Sequence, residues 1–272
     1  MRPTIPSEKQ ILYAWLMLNA TLVKKIEITP ELFIIQVKPD AGVADFQPGQ
    51  YVALGLPGEA ARPGHFPPER EPQAASKLIK RAYSIGSTPV EKGYYEFYIA
   101  VVPDGALTSR LVLPKEGDRI YVAPKVTGTF TLGGVPDSAH LVLISTGTGL
   151  APYMSMVRTP STWSPGRKIT VIHGVRYSKD FAYCDELREF EKQGNLQYLP
   201  IVSRQDPEWS GQTGHVQKLF ERGTLAVDPS RDHVYLCGNP AMVEDLEKTL
   251  VATGFVVHER KTPGNLHLEK YW

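Results

Sequence analysis

The sequence predicts two structural classes in series: an all-β half of short strands, then an α/β half built on a parallel sheet. Three observations carry that expectation. Up to about Val135 the apolar runs are short, rich in β-branched and aromatic residues, and divided by Pro and Gly, as in a β-sandwich or barrel. Beyond Val135 the runs become continuous, as strands buried on both faces require. Helical patterns separate those runs, which implies right-handed crossovers between parallel strands.

In the first half, strands are expected over residues 21–28, 32–37, 51–56, 82–85, 94–102 and 119–123. Phe46-Gln47-Pro48-Gly49-Gln50 is the turn that delivers the third of them. Residues 107–113 form the one expected helical segment. Pro57 to Lys80 is rich in Pro, Gly, Glu and Arg and has no period, so a mobile surface loop is expected there. In the second half, strands are expected over 140–145, 168–173, 196–202, 233–237 and 255–259. Helices are expected over 151–158, 180–193, 215–222 and 241–253. The domains are accordingly placed at 1–136 and 137–272.

Composition removes several function classes. The chain has 272 residues, 42% hydrophobic and 22% charged, with net charge +1, an ordinary globular composition that does not point to nucleic acid or an anionic membrane. Its two cysteines, Cys184 and Cys237, cannot build a disulfide framework. They are also too few for an iron–sulfur cluster, which takes about four. The seven histidines include no pair at metal-ligand spacing, so no metal is expected. The apolar run at 11–18 is too short to span a bilayer. Without a secretory signal, Asn19-Ala20-Thr21 reads as a chance sequon and the cytoplasm is the expected compartment. There is no Gly-x-Ser-x-Gly elbow, His-Glu-x-x-His or Walker loop.

Four stretches carry chemistry. Arg81-Ala82-Tyr83-Ser84 alternates along a strand, with Arg81 and Tyr83 on one side and Ala82 and Ser84 on the other. Its cation suits a phosphate, its ring a conjugated system and its hydroxyl a heteroatom; the same residues also make a plain strand edge. Ser145-Thr146-Gly147-Thr148-Gly149-Leu150-Ala151-Pro152 hands a strand over to a helix. Permissive glycines and free amides there admit a pyrophosphate, although the third glycine of the dinucleotide fingerprint is absent; an ordinary tight turn has the same appearance. Arg176 and Ser203-Arg204 follow the second and third of the parallel strands, where such sheets bind ligands. A hydroxyl and a guanidinium in place of an acidic residue suit a ribose 2′-phosphate. Cys237-Gly238-Asn239-Pro240 ends a strand and opens a helix, with Asn239 as N-cap and Pro240 at the first turn. Its thiol either faces the ligand crevice or is a small buried hydrophobe. The aromatic end, Tyr271-Trp272, either plugs a core or stacks on a ring.

Taken together, in this order and spacing, these stretches resemble the bacterial ferredoxin/flavodoxin–NADP(+) reductases from about Ala20 onward. The resemblance implies an antiparallel FAD-binding β-barrel followed by an NADP-binding α/β domain. It implies that Arg81, Ala82, Tyr83 and Ser84 form the flavin strand, with Arg81 on the pyrophosphate, Tyr83 packed on the isoalloxazine and Ser84 near its N5 edge. Tyr98 matches a further FAD contact, and Ala106, Leu107 and Thr108 the backbone that receives the FAD phosphates. Thr148 matches a flavin-side hydroxyl. Val175, Arg176, Ser203, Arg204, Asn239, Pro240 and Ala241 match NADP contacts, with Cys237 and Glu269 beside the nicotinamide. Tyr271 and Trp272 match the aromatics that cover the FAD. Where close relatives carry an arginine for the 2′-phosphate this chain has His215, so the NADP preference is expected to weaken and to vary with pH. The Pro57–Lys80 stretch is longer than in the simplest members, so the adenine end of FAD is expected to be held differently.

The implied activity is hydride exchange between NADP(H) and FAD, coupled to single-electron exchange with ferredoxin or flavodoxin by a monomer. The same fold would serve an NADH-dependent flavin reductase or a cytochrome-b5-type reductase. From another class, a non-catalytic flavin- or nucleotide-binding module remains the rival.

Overall fold

The computed structural model describes residues 8–194 and 196–271. The chain divides into two compact units, which meet in sequence between Thr129 and Phe130.

The first unit opens with α1 (Glu8–Leu16) and continues through β1 (Ala20–Thr29), β2 (Leu32–Pro39), β3 (Tyr51–Pro57), β4 (Leu78–Ser84), β5 (Tyr95–Ala100), α2 (Thr108–Leu111) and β6 (Arg119–Val122). Six strands form one sheet in the order β4-β3-β6-β1-β2-β5, and every pairing is antiparallel. The sheet curls until its end strands meet: Tyr83 on β4 packs against Phe97 on β5, ring centroids 6.4 Å apart, and the Gly86 N–H donates to Glu96 O at 2.8 Å. That curl makes a barrel, because alternate residues of each strand must share one interior. Phe33, Ile35 and Val37 from β2, Val52 and Leu54 from β3, and Phe97 and Ile99 from β5 fill it.

The second unit comprises β7 (His140–Thr146), α3 (Ala151–Val157), β8 (Ile169–Val175), α4 (Cys184–Lys192), β9 (Leu196–Val202), β10 (Gln212–Thr213), α5 (Gln217–Glu221), β11 (Asp232–Gly238), α6 (Pro240–Ala252) and β12 (Leu266–Lys270). Its strands are all parallel, in the order β10-β9-β8-β7-β11-β12. Every residue of β8 is buried, which explains its unbroken apolar text: helices cover both faces. β7, β8 and β9 lie in sequence on one side, and the chain then returns to place β11 on the other side of β7. The strand order therefore reverses between β7 and β11.

Several expectations need correction. The stretch 255–259 is not a strand; it makes only isolated bridges, Val257 to Leu266 and Glu259 to Thr262. Phe255 instead turns back into the α6 core, its N–H on Leu250 O at 3.1 Å. The last strand is β12, in a stretch read from sequence only as an aromatic tail. It pairs with β11 from Leu266 to Lys270, and its His267 ring lies on Tyr235 at 4.0 Å with a 4° interplanar angle. α4 begins at Cys184 instead of 180, because Tyr183 takes a left-handed φ of 61°. The break between units precedes the expected 136/137 boundary, since buried Phe130 packs on Tyr153 and Tyr235 of the second unit. The Pro57–Lys80 stretch is not a loose loop; ion pairs and hydrogen bonds tie it to residues 103–110. Among the described residues, no helix is long and apolar enough to cross a membrane.

Candidate functional site

In the first unit, β4 is an end strand, and this is what exposes its middle. β3 pairs with it on one side only, with Ser84 opposite Tyr51, Tyr83 opposite Val52 and Arg81 opposite Leu54. Arg81 and Ala82 are exposed, and the Arg81 guanidinium donates to its neighbour Lys80 O at 2.8 Å. Tyr83 is half-buried on Phe97, and burial raises its phenol well above the ordinary value although Arg81 opposes this. It is a neutral ring over the whole working range. Ser84 is buried, and the chain beyond it is pinned by Ile85 N–H to Gln50 O at 3.0 Å. Tyr98 is also buried, 3% exposed, on β5 opposite Ile34.

Ala106 and Thr108 are half-buried, and Leu107 between them is buried. The Thr108 hydroxyl accepts from the Val102 N–H at 2.9 Å, which fixes the entry to α2. Arg110, on the same turn, is buried, and its Nε has no hydrogen-bond partner.

In the second unit the carboxyl ends of β7 and β11 flank the reversal of strand order, the place where open parallel sheets take ligands. After β7 the chain makes a tight helical turn, Gly147–Leu150, and runs into α3 with Pro152 in its first turn. Gly147 has φ +52°, and a Cβ there would meet nothing within 4 Å, so the surface above it is open. Gly149 is the opposite case: a Cβ there would stand 2.4 Å from Cys237 O, backbone against backbone. Gly238, with φ +127°, is equally tight against Thr146, whose Oγ1 accepts from the Asn239 N–H at 2.9 Å. These contacts bring the glycine turn and the Cys237-Gly238-Asn239 turn together. The Asn239 Oδ1 caps α6, accepting from the Ala241 N–H at 2.9 Å, and Pro240 opens that helix. Thr148 is 8% exposed within the turn.

Cys237 is buried, and β12 sets Glu269 opposite it, with Sγ 3.9 Å from Glu269 Oε1. Burial first, then the Glu269 charge, push the thiol well above its ordinary value against an opposing hydrogen bond from Tyr271. Cys237 is thus a neutral thiol. The Tyr271 N–H donates to Gly238 O at 3.0 Å, which docks the end of β12 on the same turn. Trp272 lies outside the described residues.

The same carboxyl edge carries the cations. The ladder continues past the ends of β8 and β9, with Ser203 N–H on Val175 O at 2.9 Å and Arg204 N–H on Arg176 O at 3.0 Å. Ser203 Oγ donates to Val175 O at 3.1 Å. Arg176, Arg204 and His215 are all exposed.

Two residues were not singled out in the sequence. His173, at the end of β8, is buried beneath the glycine turn, with Nε2 3.1 Å from Gly147 O and Nδ1 without a partner. Burial pulls its imidazole down to about 4, although the Gly147 carbonyl opposes this, so it is neutral with its proton on Nε2. Its only sequence signal was a polar residue inside an apolar run. Arg222 folds back from the end of α5 to donate to Thr213 O at 2.9 Å, beside His215; nothing local marks it.

The family model for the oxidoreductase NAD-binding domain matches residues 143–248. A ferredoxin–NADP reductase of Pseudomonas aeruginosa is 35% identical over 83% of this chain and 86% of its own length. A flavodoxin/ferredoxin–NADP reductase of Escherichia coli is 33% identical over 90% and 94%. In fold, a ferredoxin NADP+ reductase from Neisseria gonorrhoeae, solved with bound FAD and NADP, superposes with TM-score 0.76 at 23% identity, covering 93% of this chain and 97% of that one. At 35% and 33% identity to the first two of these reductases, over most of the length of both chains, this protein belongs to the bacterial ferredoxin/flavodoxin–NADP reductase family.

Proposed function

We propose that the chain is an FAD-dependent ferredoxin or flavodoxin–NADP(+) reductase that works in the cytoplasm with soluble carrier proteins. The observation that carries this reading is the pair of glycine turns at the reversal of strand order, open above Gly147 and closed below Gly149 and Gly238. Such a crevice accepts a flat ring and a phosphate chain against bare backbone.

The residues present fit both cofactors. For NADP(H), two adjacent strand ends offer Arg176 and Ser203-Arg204, with His215 and Arg222 at the next turn. They follow strands that lie one to three strand spacings from β7, about 5–15 Å along the edge, a span that suits a dinucleotide with its nicotinamide at Cys237 and its 2′-phosphate among the cations. For FAD, the exposed Arg81 makes no ion pair among the described residues, and Ala106-Leu107-Thr108 form the entry to α2. When bound, FAD links the two-electron chemistry of NADP(H) to the one-electron chemistry of the carrier.

The side chains then have distinct work. Arg81 neutralises phosphate charge, Tyr83 supplies a neutral face, and Ser84 and Tyr98 complete the flavin contacts of the first unit; in the second, Thr148 offers a hydroxyl from the glycine turn. Cys237 offers a neutral, polarisable surface to the nicotinamide, while Glu269, half-buried opposite it, steadies positive charge there. Val175, Asn239, Pro240 and Ala241 shape the nucleotide path. Tyr271, docked on Gly238 beside Cys237, regulates nicotinamide access.

The test is anaerobic stopped-flow reduction of the yellow holoprotein by NADPH and by NADH, with ferredoxin and flavodoxin as acceptors. Faster bleaching by NADPH, followed by reoxidation by either carrier, is the expected result. Equal or faster reduction by NADH would replace the reading with an NADH-dependent flavin or cytochrome-b5-type reductase. A colourless protein without affinity for FAD would leave a non-catalytic nucleotide-binding module.

A further inference from the structure

The Pro57–Lys80 stretch reaches across its own unit to the turn at residues 103–110, and it does so with three side chains. Arg62 donates from Nε to Ser109 Oγ at 2.9 Å and from Nη2 to Pro103 O and to Pro67 O, each at 2.8 Å. Glu69 forms an ion pair with Arg110 in which both side chains are nearly inaccessible, at 8% and 6% exposure. Arg70 donates from Nε to Asp104 Oδ2 at 2.5 Å, and its N–H donates to Asp104 O at 3.1 Å.

Arg110 is the centre of this arrangement. Its Nη1 reaches both Glu69 and Ala106 O, the latter at 2.6 Å, while its Nη2 reaches Gly58 O at 2.5 Å. One guanidinium therefore ties the start of the stretch, its middle and the 106–108 turn to one another. Glu69 is fixed in turn by the Gln73 N–H at 3.1 Å. Burial alone would raise its carboxyl, but Arg110, that N–H and Arg62 outweigh burial and hold it below the ordinary value. The pair is ionised, and removing either charge would strand the other in a dry site.

The pattern of acceptors matters. Each bond that Arg62 and Arg70 send to the turn lands on a carbonyl, a carboxylate or a hydroxyl: Pro103 O, Asp104 O and Oδ2, Ser109 Oγ. Arg110 itself takes Ala106 O. These bonds hold the turn through its acceptors and the Arg110 side chain, and none of them uses the N–H of Ala106, Leu107 or Thr108, the donors that an FAD phosphate needs. Holding donors in place before a ligand arrives removes the ordering cost from binding.

We propose that the Pro57–Lys80 stretch is a brace that sets the 103–110 turn for the FAD diphosphate, with Arg62, Glu69 and Arg110 as positioning residues that do not touch the cofactor. The proposal rests on the assignment of Ala106-Leu107-Thr108 to the FAD phosphates.

Two variants test it. Glu69→Gln removes the charge that Arg110 faces, and Arg62→Gln cuts the ties to Ser109 and Pro103 while leaving the buried pair intact. Amide hydrogen exchange is followed in the apoprotein, and FAD affinity is measured by flavin fluorescence on titrating the apoprotein with FAD. In both variants the amides of residues 103–111 should exchange faster, those of β2 and β5 should be unchanged, and the FAD dissociation constant should rise about tenfold. Unchanged exchange at 103–111 would overturn the brace, as would faster exchange there with unchanged FAD affinity. A rise in exchange spread equally over β2 and β5 would also overturn it, since that is loss of the barrel and not of a positioned turn. If the unaltered apoprotein binds no FAD, the diphosphate assignment fails and the proposed purpose of the brace falls with it. The exchange data alone would then report whether the stretch holds the turn, so the two failures are distinguishable.

Discussion

Replacing His173 by Gln tests the electrostatics beneath the glycine turn. The imidazole is fully buried, donates to Gly147 O from Nε2 and has no partner at Nδ1. A fall from the ordinary 6.5 to about 4 makes its neutral form worth about 3 kcal/mol of folding free energy. Between those two values the unfolded chain takes up the proton more readily than the folded one, so stability rises with pH across the window. The contribution is complete above about pH 6.5 and is lost as pH falls towards 4. His173→Gln keeps an N–H for Gly147 O and cannot titrate. The assay is amide exchange of the β8 residues at about pH 7 and about pH 4.5, converted to opening free energies. The native protein should lose about 2–3 kcal/mol more than the variant between the two conditions, and the other titrating groups cancel because both proteins carry them. Parallel losses would refute the reasoning, because His173 would then take up its proton as readily folded as unfolded.

Arg81→Ala should leave the thermal midpoint nearly unchanged, within about 0.5 kcal/mol, because the exposed guanidinium makes one bond to its own neighbour. FAD affinity should fall about 10- to 100-fold, the worth of a charged hydrogen bond, as read by flavin fluorescence. Gly149→Ala should cost about 1–3 kcal/mol by chemical denaturation, since its methyl would stand 2.4 Å from Cys237 O. It should also weaken NADP+ binding in calorimetric titration by parting the two turns.

What the sequence disclosed depended on how local each cause was. The unbroken text of β8 and the glycine turn after β7 follow from burial and backbone freedom within a few residues, and both stand where the text placed them. The Asn239-Pro240 cap is equally local. β12 was missed because Leu-His-Leu-Glu-Lys is short and half polar; it becomes a strand only because β11 offers an edge. Residues 255–259 misled for the converse reason, being apolar enough for a strand but used by the α6 core. The ties between the Pro57–Lys80 stretch and residues 103–110 join residues some 40 apart, Arg110 to Glu69 for example, and leave no periodic trace. The cations were legible one by one at their strand ends. Their alignment along a single edge required the strand order, as did the approach of Cys237 to the glycine turn.

The place of β4 at the end of its sheet has a consequence for the empty protein. Where β4 is not closed against β5 it remains an end strand, and such an edge can template a strand from a second chain, the first step of aggregation. β4 carries Lys80 and Arg81, both exposed, along that strand, and like charges brought together by a second copy repel one another. Arg81 thus serves solubility before any ligand arrives. Neutralising both residues should lower the yield of soluble apoprotein more than that of protein produced with excess flavin.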